Sequence, residues 1–394
     1  KLKNSGHMLL LKKALYGTKQ AANNWFKNLS SAMVALGFEK SKVQSCLFVR
    51  HHAKGKVCMI VVHVDDGCAA AHDDSFVDEV LEKLNRKFKL KHEPLGWCVG
   101  LKIDRDESGH LIKMSIPAHI EGTAKRFKVL TEADKSTMTN PCSPKGKSLR
   151  ASTEETPFQR QLYMEMVGCL IYISNSCRPE IAALVSVLAS FMEKPDRSHH
   201  EFAVRVIVWL YKTKDKGLVH RRSGKDASTD ASALTDVRLV THVDSDFKGC
   251  KDTRRSRCGG LCYYGKSLVL WASKRMKIVT WSTFESETAA GAVAVRKTLY
   301  SRKVQLLVTG KKEHQVAIPI MCGDNEKCIE VAHSGNYSAK TSHMELRFHG
   351  LSERVLMKDI ELKHTKRDLN PSDLLTHIDS PNDDWQRHLS AIVD

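Results

Sequence analysis

At 394 residues, with 42% hydrophobic and 27% charged side chains, the chain is too long for one ordinary core and too apolar to be disordered, so two or three globular domains are expected. A formal net charge of +17, spread along the chain, fits either a basic but unspecialised surface or a polyanionic partner, since each phosphate neutralised releases counterions. No apolar run approaches the roughly 18 residues of a membrane span, and the opening KLKNSGHMLLLKK lacks the apolar core of a signal peptide. A protein that is neither membrane-bound nor secreted, in the cytoplasm or the nucleus, is expected. The twelve cysteines show no zinc-knuckle spacing and fall mostly in apolar runs, which fits a reducing compartment.

In chain order, residues 14–36 carry Trp25, Leu29, Met33 and Leu36 at helical spacing and stop at Gly37. Strands are expected at 46–50 and 57–64, the second apolar enough to be buried on both faces. It ends abruptly at Asp65-Asp66-Gly67. A helix over 76–88 and a hairpin of 99–103 with 111–115 follow. From about 118 to 215 the pattern is helical, with the clearest segments at 161–175, 181–192 and 199–213. Residues 221–236 are small and polar and read as a linker. Beyond them come strands at 237–243, 259–264 and 267–271, and a helix over 284–301. Then come a strand at 316–322, helices at 325–334 and 342–357, a strand at 359–364 and a last helix from 371. Strands interleaved with helices predict a mixed sheet flanked by helices.

Four acids in this second half stand where strands end or helices begin. Asp244 closes the predicted strand RLVTHVD, Glu287 lies on a helix face otherwise made of small residues, Asp324 follows the strand VAIPIMCG, and Asp373 sits in the first turn of the last helix. Singly, Asp324 and Asp373 are ordinary helix-capping residues. Together, in that order, they can converge, and crowded carboxylates repel one another unless cations neutralise them. Hard oxygen ligands suit Mg²⁺, and paired metals activate water and stabilise a leaving oxygen in phosphodiester cleavage.

The stretch VDSDFKGCKDTRRSRCGGLCYYGKSLVLWASKRMKIVTWSTFESET, followed by GDNEKCI, AKTSHMELRFHGLSERV and HTKRDLNPSDLLTH, resembles the ribonuclease H domain of copia-type retrotransposon Pol polyproteins. The resemblance implies that Asp244, Glu287, Asp324 and Asp373 bind Mg²⁺ (or Mn²⁺) and are catalytic, with Asp246 in reserve for the first position. Thr288 and Gly323 stand where the family has Tyr and Cys. Upstream, LKKALYGTKQAANNWF, GFEKSKVQSCLF, VHVDD and WCVGLKI resemble the same family's reverse transcriptase, and the segment from LYMEMVG to KTKDKGL its helical region. Asp65 and Asp66 then fall on polymerase metal ligands. His63, Gln44 and Asn23 replace the family's Tyr, an acid and Arg, and its third palm acid belongs upstream of this segment, so this chain alone is not expected to polymerise DNA.

The resulting expectation is an α/β and α+β multi-domain protein. Residues 1–115 would form a truncated polymerase palm, 116–222 a helical thumb and connection, 223–236 a linker, and 237–394 a ribonuclease H-like mixed sheet flanked by helices. The implied partners are RNA–DNA hybrids and template-primers, with dNTPs in the intact parent, and the implied setting is a cytoplasmic retroelement particle or the nucleus. Two rivals stay open: a decayed or domesticated nucleic-acid binder without catalysis, and a nuclease for branched DNA. Arg254 and Arg255, in a turn near the first acid, are plausible phosphate contacts, although a plain hairpin turn explains them as well. His343, between the third and fourth acids, could assist product release or proton transfer, though a surface or capping role accounts for it better. The pairs His51-His52 and His199-His200 are not expected to share an ion.

Overall fold

The computed structural model describes residues 12–15, 17–52, 55–142, 149–153, 158–221, 237–335 and 345–394. The predicted linker at 223–236, the first eleven residues and His343 lie outside the described residues. The chain divides into two compact units, residues 1–99 with 304–311, and residues 100–303 with 312–394.

In the first unit, α1 (Lys19–Ala35) begins later than its periodicity suggests, because Thr18 caps it and its hydroxyl accepts from the Ala21 amide. Then come β1 (Glu39–Lys40), β2 (Leu47–His51), β3 (Val57–His63), β4 (Asp66–Ala71), α2 (Asp74–Phe88) and β5 (Trp97–Cys98). The first four strands form an antiparallel sheet in sequence order. Leu29 and Met33 of α1 and Val80 and Leu84 of α2 cover one face through Phe48, Cys58 and Ile60. On the other face Leu47, Val49 and Val57 meet Val304 and Leu307. That cover reaches only the beginning of β3, which corrects the expectation of a strand buried throughout on both faces: Val61 is 45% exposed.

The second unit opens with β6 (Leu101–Arg105) and β7 (Leu111–Ser115), a hairpin turning at 106–110. The helices α3 (Pro117–Arg126), α4 (Leu130–Lys135), α5 (Arg160–Ser176), α6 (Ala182–Leu188) and α7 (Arg197–Lys212) follow, and β8 (Leu218–Arg221) returns to pair with β7. The predicted helix 181–192 is α6 flanked by 3₁₀ turns at Pro179–Ile181 and Ala189–Phe191. A second sheet is built from β9 (Leu239–Asp246), β10 (Arg257–Tyr264) and β11 (Ser267–Arg275). After α8 (Thr283–Thr309) it gains β12 (Ile320–Gly323) and, after α9 (Glu326–Ser334) and α10 (Glu345–Leu356), β13 (Glu361–His364). A 3₁₀ turn at Pro371–Leu375 and α11 (Asn382–Leu389) complete it.

The strand order is β11-β10-β9-β12-β13, antiparallel from β9 through β11 and parallel from β9 through β13. This is the mixed, helix-flanked sheet expected. The chain reverses its direction of travel at β9, and the crevice beyond the carboxyl ends of β9 and β12 is the kind of switch point where open α/β sheets bind ligands. One apolar core runs from α3, α5 and α7 through Leu261 and Leu268 to Leu374, Leu375 and Trp385. Trp385 of α11 stacks edge-on against Trp209 of α7, with centroids 5.6 Å apart.

Candidate metal centre

Asp244 does not close its strand. The ladder with β10 continues to Asp246, pairing Asp244 with Gly259 and Asp246 with Arg257. Polar residues end the apolar alternation two positions before the backbone pairing ends, which is why the strand reads short. On the other side β12 lies parallel, with Cys322 opposite His242. Asp324, two residues beyond Cys322, therefore emerges at the same sheet end as Asp244. Asn325, not Asp324, caps α9, its Oδ1 accepting from the Cys328 amide at 2.9 Å. The capping explanation of Asp324 thus fails, and its carboxylate is left for other work.

Glu287 enters from α8. That helix is pinned to β9 by the buried hydroxyl pair Thr241 and Thr298, 2.8 Å apart, and lies close to the sheet through Ala290 and Ala294. A neighbouring acid of the same turn, Glu285, is spent locally, accepting from the Trp281 amide at 2.6 Å. Asp373 lies in the 3₁₀ turn Pro371–Leu375 rather than in a last α-helix, which begins only at Asn382. The turn is capped by Asn370, whose Oδ1 accepts from the Ser372 amide while its Nδ2 donates to the Val243 carbonyl of β9 at 3.0 Å. Gly259 lets the turn sit this close. A Cβ there would stand 2.7 Å from Leu375 Cβ, 2.9 Å from Thr376 Cγ2 and 3.0 Å from the Ser372 carbonyl oxygen.

The four acids meet through Asp244. Ligand atoms of Asp244, Glu287 and Asp324 all lie within 4.8 Å of one another, as do those of Asp244, Asp373 and His377. Asp244 and Asp373 are buried, 4% and 8% exposed; Glu287 and Asp324 are half-buried. Burial first, then the neighbouring Asp373, pushes the Asp244 carboxyl up to about 6, against the opposing bond from Thr376. Burial and then Asp244 push Glu287 up to about 9. Such crowding of like charges is what a divalent cation relieves, and an all-carboxylate set of hard oxygen donors fits Mg²⁺ or Mn²⁺.

Several residues of this centre escaped the sequence reading. The Thr376 hydroxyl donates to Asp244 Oδ2, and Ser245 Oγ donates to Glu287 Oε1 at 2.7 Å. Arg367 Nε donates to Asp373 Oδ1 at 3.3 Å, with His377 Nε2 3.5 Å from the same oxygen. Spacing was the available signal for Thr376 and His377: they follow Asp373 by three and four residues, one helical turn. Asp246, the reserve acid, is in neither group; its Oδ1 accepts from the Arg257 amide.

Asp65 and Asp66 are exposed where β3 turns into β4, in a turn held by Trp25 Nε1 donating to the Val64 carbonyl at 2.9 Å. Among the described residues they belong to no group of three metal-capable side chains, and neither do the histidine pairs. Also among these residues, no helix is long and apolar enough to cross a membrane.

Residues 2–142 match the family described as reverse transcriptase (RNA-dependent DNA polymerase). The retrovirus-related Pol polyprotein from transposon TNT 1-94 of Nicotiana tabacum is 26% identical over 377 residues, which is 94% of this chain and 27% of that protein. The corresponding polyprotein from transposon RE1 of Arabidopsis thaliana is 26% identical over 371 residues, 93% of this chain and 24% of that one. The chain thus spans about a quarter of the length of these relatives. Among solved structures, the ribonuclease H1 LC11 isolated from compost is 15% identical, with a TM-score of 0.28 over 39% of this chain and 98% of that one.

Proposed function

Because this chain belongs to the Pol polyproteins of copia-type retrotransposons, we propose that its second unit cuts the RNA strand of RNA–DNA hybrids, using Asp244, Glu287, Asp324 and Asp373 to hold Mg²⁺. The observation that carries this reading is the convergence of four acids, 129 residues apart from first to last, on one end of a sheet: Asp244 is common to both groups. When bound, divalent ions supply activation of the attacking water and neutralisation of charge on the leaving oxygen.

The protein's own part is to hold its carboxylates ready. The hydroxyls of Thr376 and Ser245 each occupy one oxygen, on Asp244 and Glu287, and so fix which oxygen faces the crevice. Arg367 and His377 hold Asp373 in the same way, as orienting partners behind a ligand shell do. The net charge of +17 favours a polyanion at this centre despite its acids. Asp65 and Asp66 are proposed as metal ligands of the reverse transcriptase part.

A cleavage assay on a short hybrid tests the reading. With Mg²⁺ the wild type should cut the RNA strand and leave the DNA strand whole; with a chelator it should cut neither strand. The Asp65→Asn/Asp66→Asn double variant should cut at the wild-type rate. A folded wild type with no metal-dependent cleavage would instead favour a binder without catalysis, and preference for a four-way junction would favour a resolvase.

A further inference from the structure

A cavity of about 230 Å³ lies against the β9–β10 connection, with Lys248, Lys251, Arg255, Arg257 and Arg275 in its wall. Two carboxylates, Asp246 and Asp379, share the lining, so five cations face two acids. Arg257 is 5% exposed, and its guanidinium donates to the Ser186 hydroxyl. Among the described residues, no ion pair within 4 Å joins the Arg257 guanidinium to a carboxylate. A buried guanidinium without an ion-pair partner is costly, and its cost falls when an anion enters. The neighbouring Asp246 offsets part of this cost, leaving room for a further anion. One of its oxygens is committed to the Arg257 amide, and the carboxylate is pressed against Gly249, where a Cβ would overlap it.

Thr376 and His377 line the same cavity, and both also touch the carboxylate centre, Thr376 through Asp244 and His377 through Asp373. The cavity and the centre are therefore neighbours across one short segment, with cations on one side and acids on the other. We propose that this cavity is a phosphate subsite that holds a backbone phosphate of the bound nucleic acid next to the one at the carboxylates, with Arg255 as a principal contact. Its volume has room for a phosphate and several waters, at about 30 Å³ per water. Arginine and lysine contacts of this kind set the register of a strand without reading its sequence. The structure also separates two arginines that the sequence leaves equivalent. Arg255 is half-buried in the cavity wall, whereas Arg254 is exposed, stands on left-handed backbone (φ 56°) and is not in the lining. The proposal rests on the nuclease reading only for what occupies the carboxylates.

The test is the salt dependence of hybrid binding, followed by fluorescence anisotropy in the Asp324→Asn background so that cleavage does not intervene. Arg255→Gln should lower the slope of log K against log salt by about one, whereas Arg254→Gln should leave it unchanged. Equal slopes for the two variants, or no change in either, would overturn the proposal. In a second arm, inorganic phosphate is titrated against thermal stability. Stabilisation lost in Arg255→Gln while hybrid binding keeps its slope would assign the cavity to free phosphate and overturn the backbone assignment. If the cleavage assay fails but the slope difference appears, the subsite stands and the nuclease reading falls.

Discussion

Glu287→Gln is expected to make the metal-free protein more stable and at the same time to abolish hybrid cleavage. Held up to about 9 by burial and by Asp244, Glu287 keeps a proton in the folded state that the unfolded chain releases from about 4.5 upward. The folded state binds more protons than the unfolded one across that window, so stability is fullest below about 4.5 and falls as pH rises towards 9. Asp244 acts in the same direction between 3.8 and about 6. Each pH unit inside the window costs about 1.4 kcal/mol before screening. Water reaching the half-buried Glu287 reduces this, leaving an expected gain for Gln of about 1–3 kcal/mol near pH 8 that vanishes below the unfolded value. Loss of one carboxylate from a metal centre removes several kcal/mol of transition-state stabilisation, about a thousandfold in rate or more. Thermal unfolding in chelator across pH 4–9, beside the cleavage assay, checks both halves. A variant less stable than wild type near pH 8 would show that the carboxylate is not crowded.

Gly259→Ala is the second large effect, and it contains no ionisable group. The new methyl would sit 2.7 Å from Leu375 Cβ and 3.0 Å from the Ser372 carbonyl oxygen, and neither is the far end of a flexible side chain. The 371–375 turn must move off β10, carrying Asp373, Thr376 and His377 away from Asp244. Overpacking of this kind costs about 1–3 kcal/mol. A displacement of about 1 Å at a catalytic group costs about a hundredfold in rate. Urea unfolding and single-turnover cleavage measure the two losses. Gly260→Ala, one residue along and with the nearest atom at 3.7 Å from its Cβ, is the control and should lose far less of either.

These two residues also mark what the sequence does and does not disclose. Glu287 was legible because the small residues around it announce a helix lying close to a sheet, and Asp324 because an apolar strand stops just before it. Gly259 was not. Its role depends on a register that sets it opposite Asp244 and on a turn more than a hundred residues later, and neither is encoded near it. The length of β9 was misread for a related reason: hydrogen bonding to β10 carries the strand through Ser245 and Asp246 after hydrophobic alternation has ended. In β3 the error ran the other way. An apolar run promised two covered faces, but the cluster around Val304 and Leu307 takes in Leu47, Val49, Val57 and Met59 and stops short of Val61. Asp373 was placed in the right neighbourhood but in the wrong element, because Pro371 starts a 3₁₀ turn as readily as an α-helix.

Calorimetric titration of Mg²⁺ or Mn²⁺ into the folded wild type and into Asp324→Asn bears most directly on the centre. Divalent binding by the wild type, weakened by more than about tenfold in the variant, is the predicted result, since even a group that only orients a ligand contributes about 10- to 100-fold. Wild-type protein that takes up no divalent ion, or a variant that binds as tightly as its parent, would contradict it.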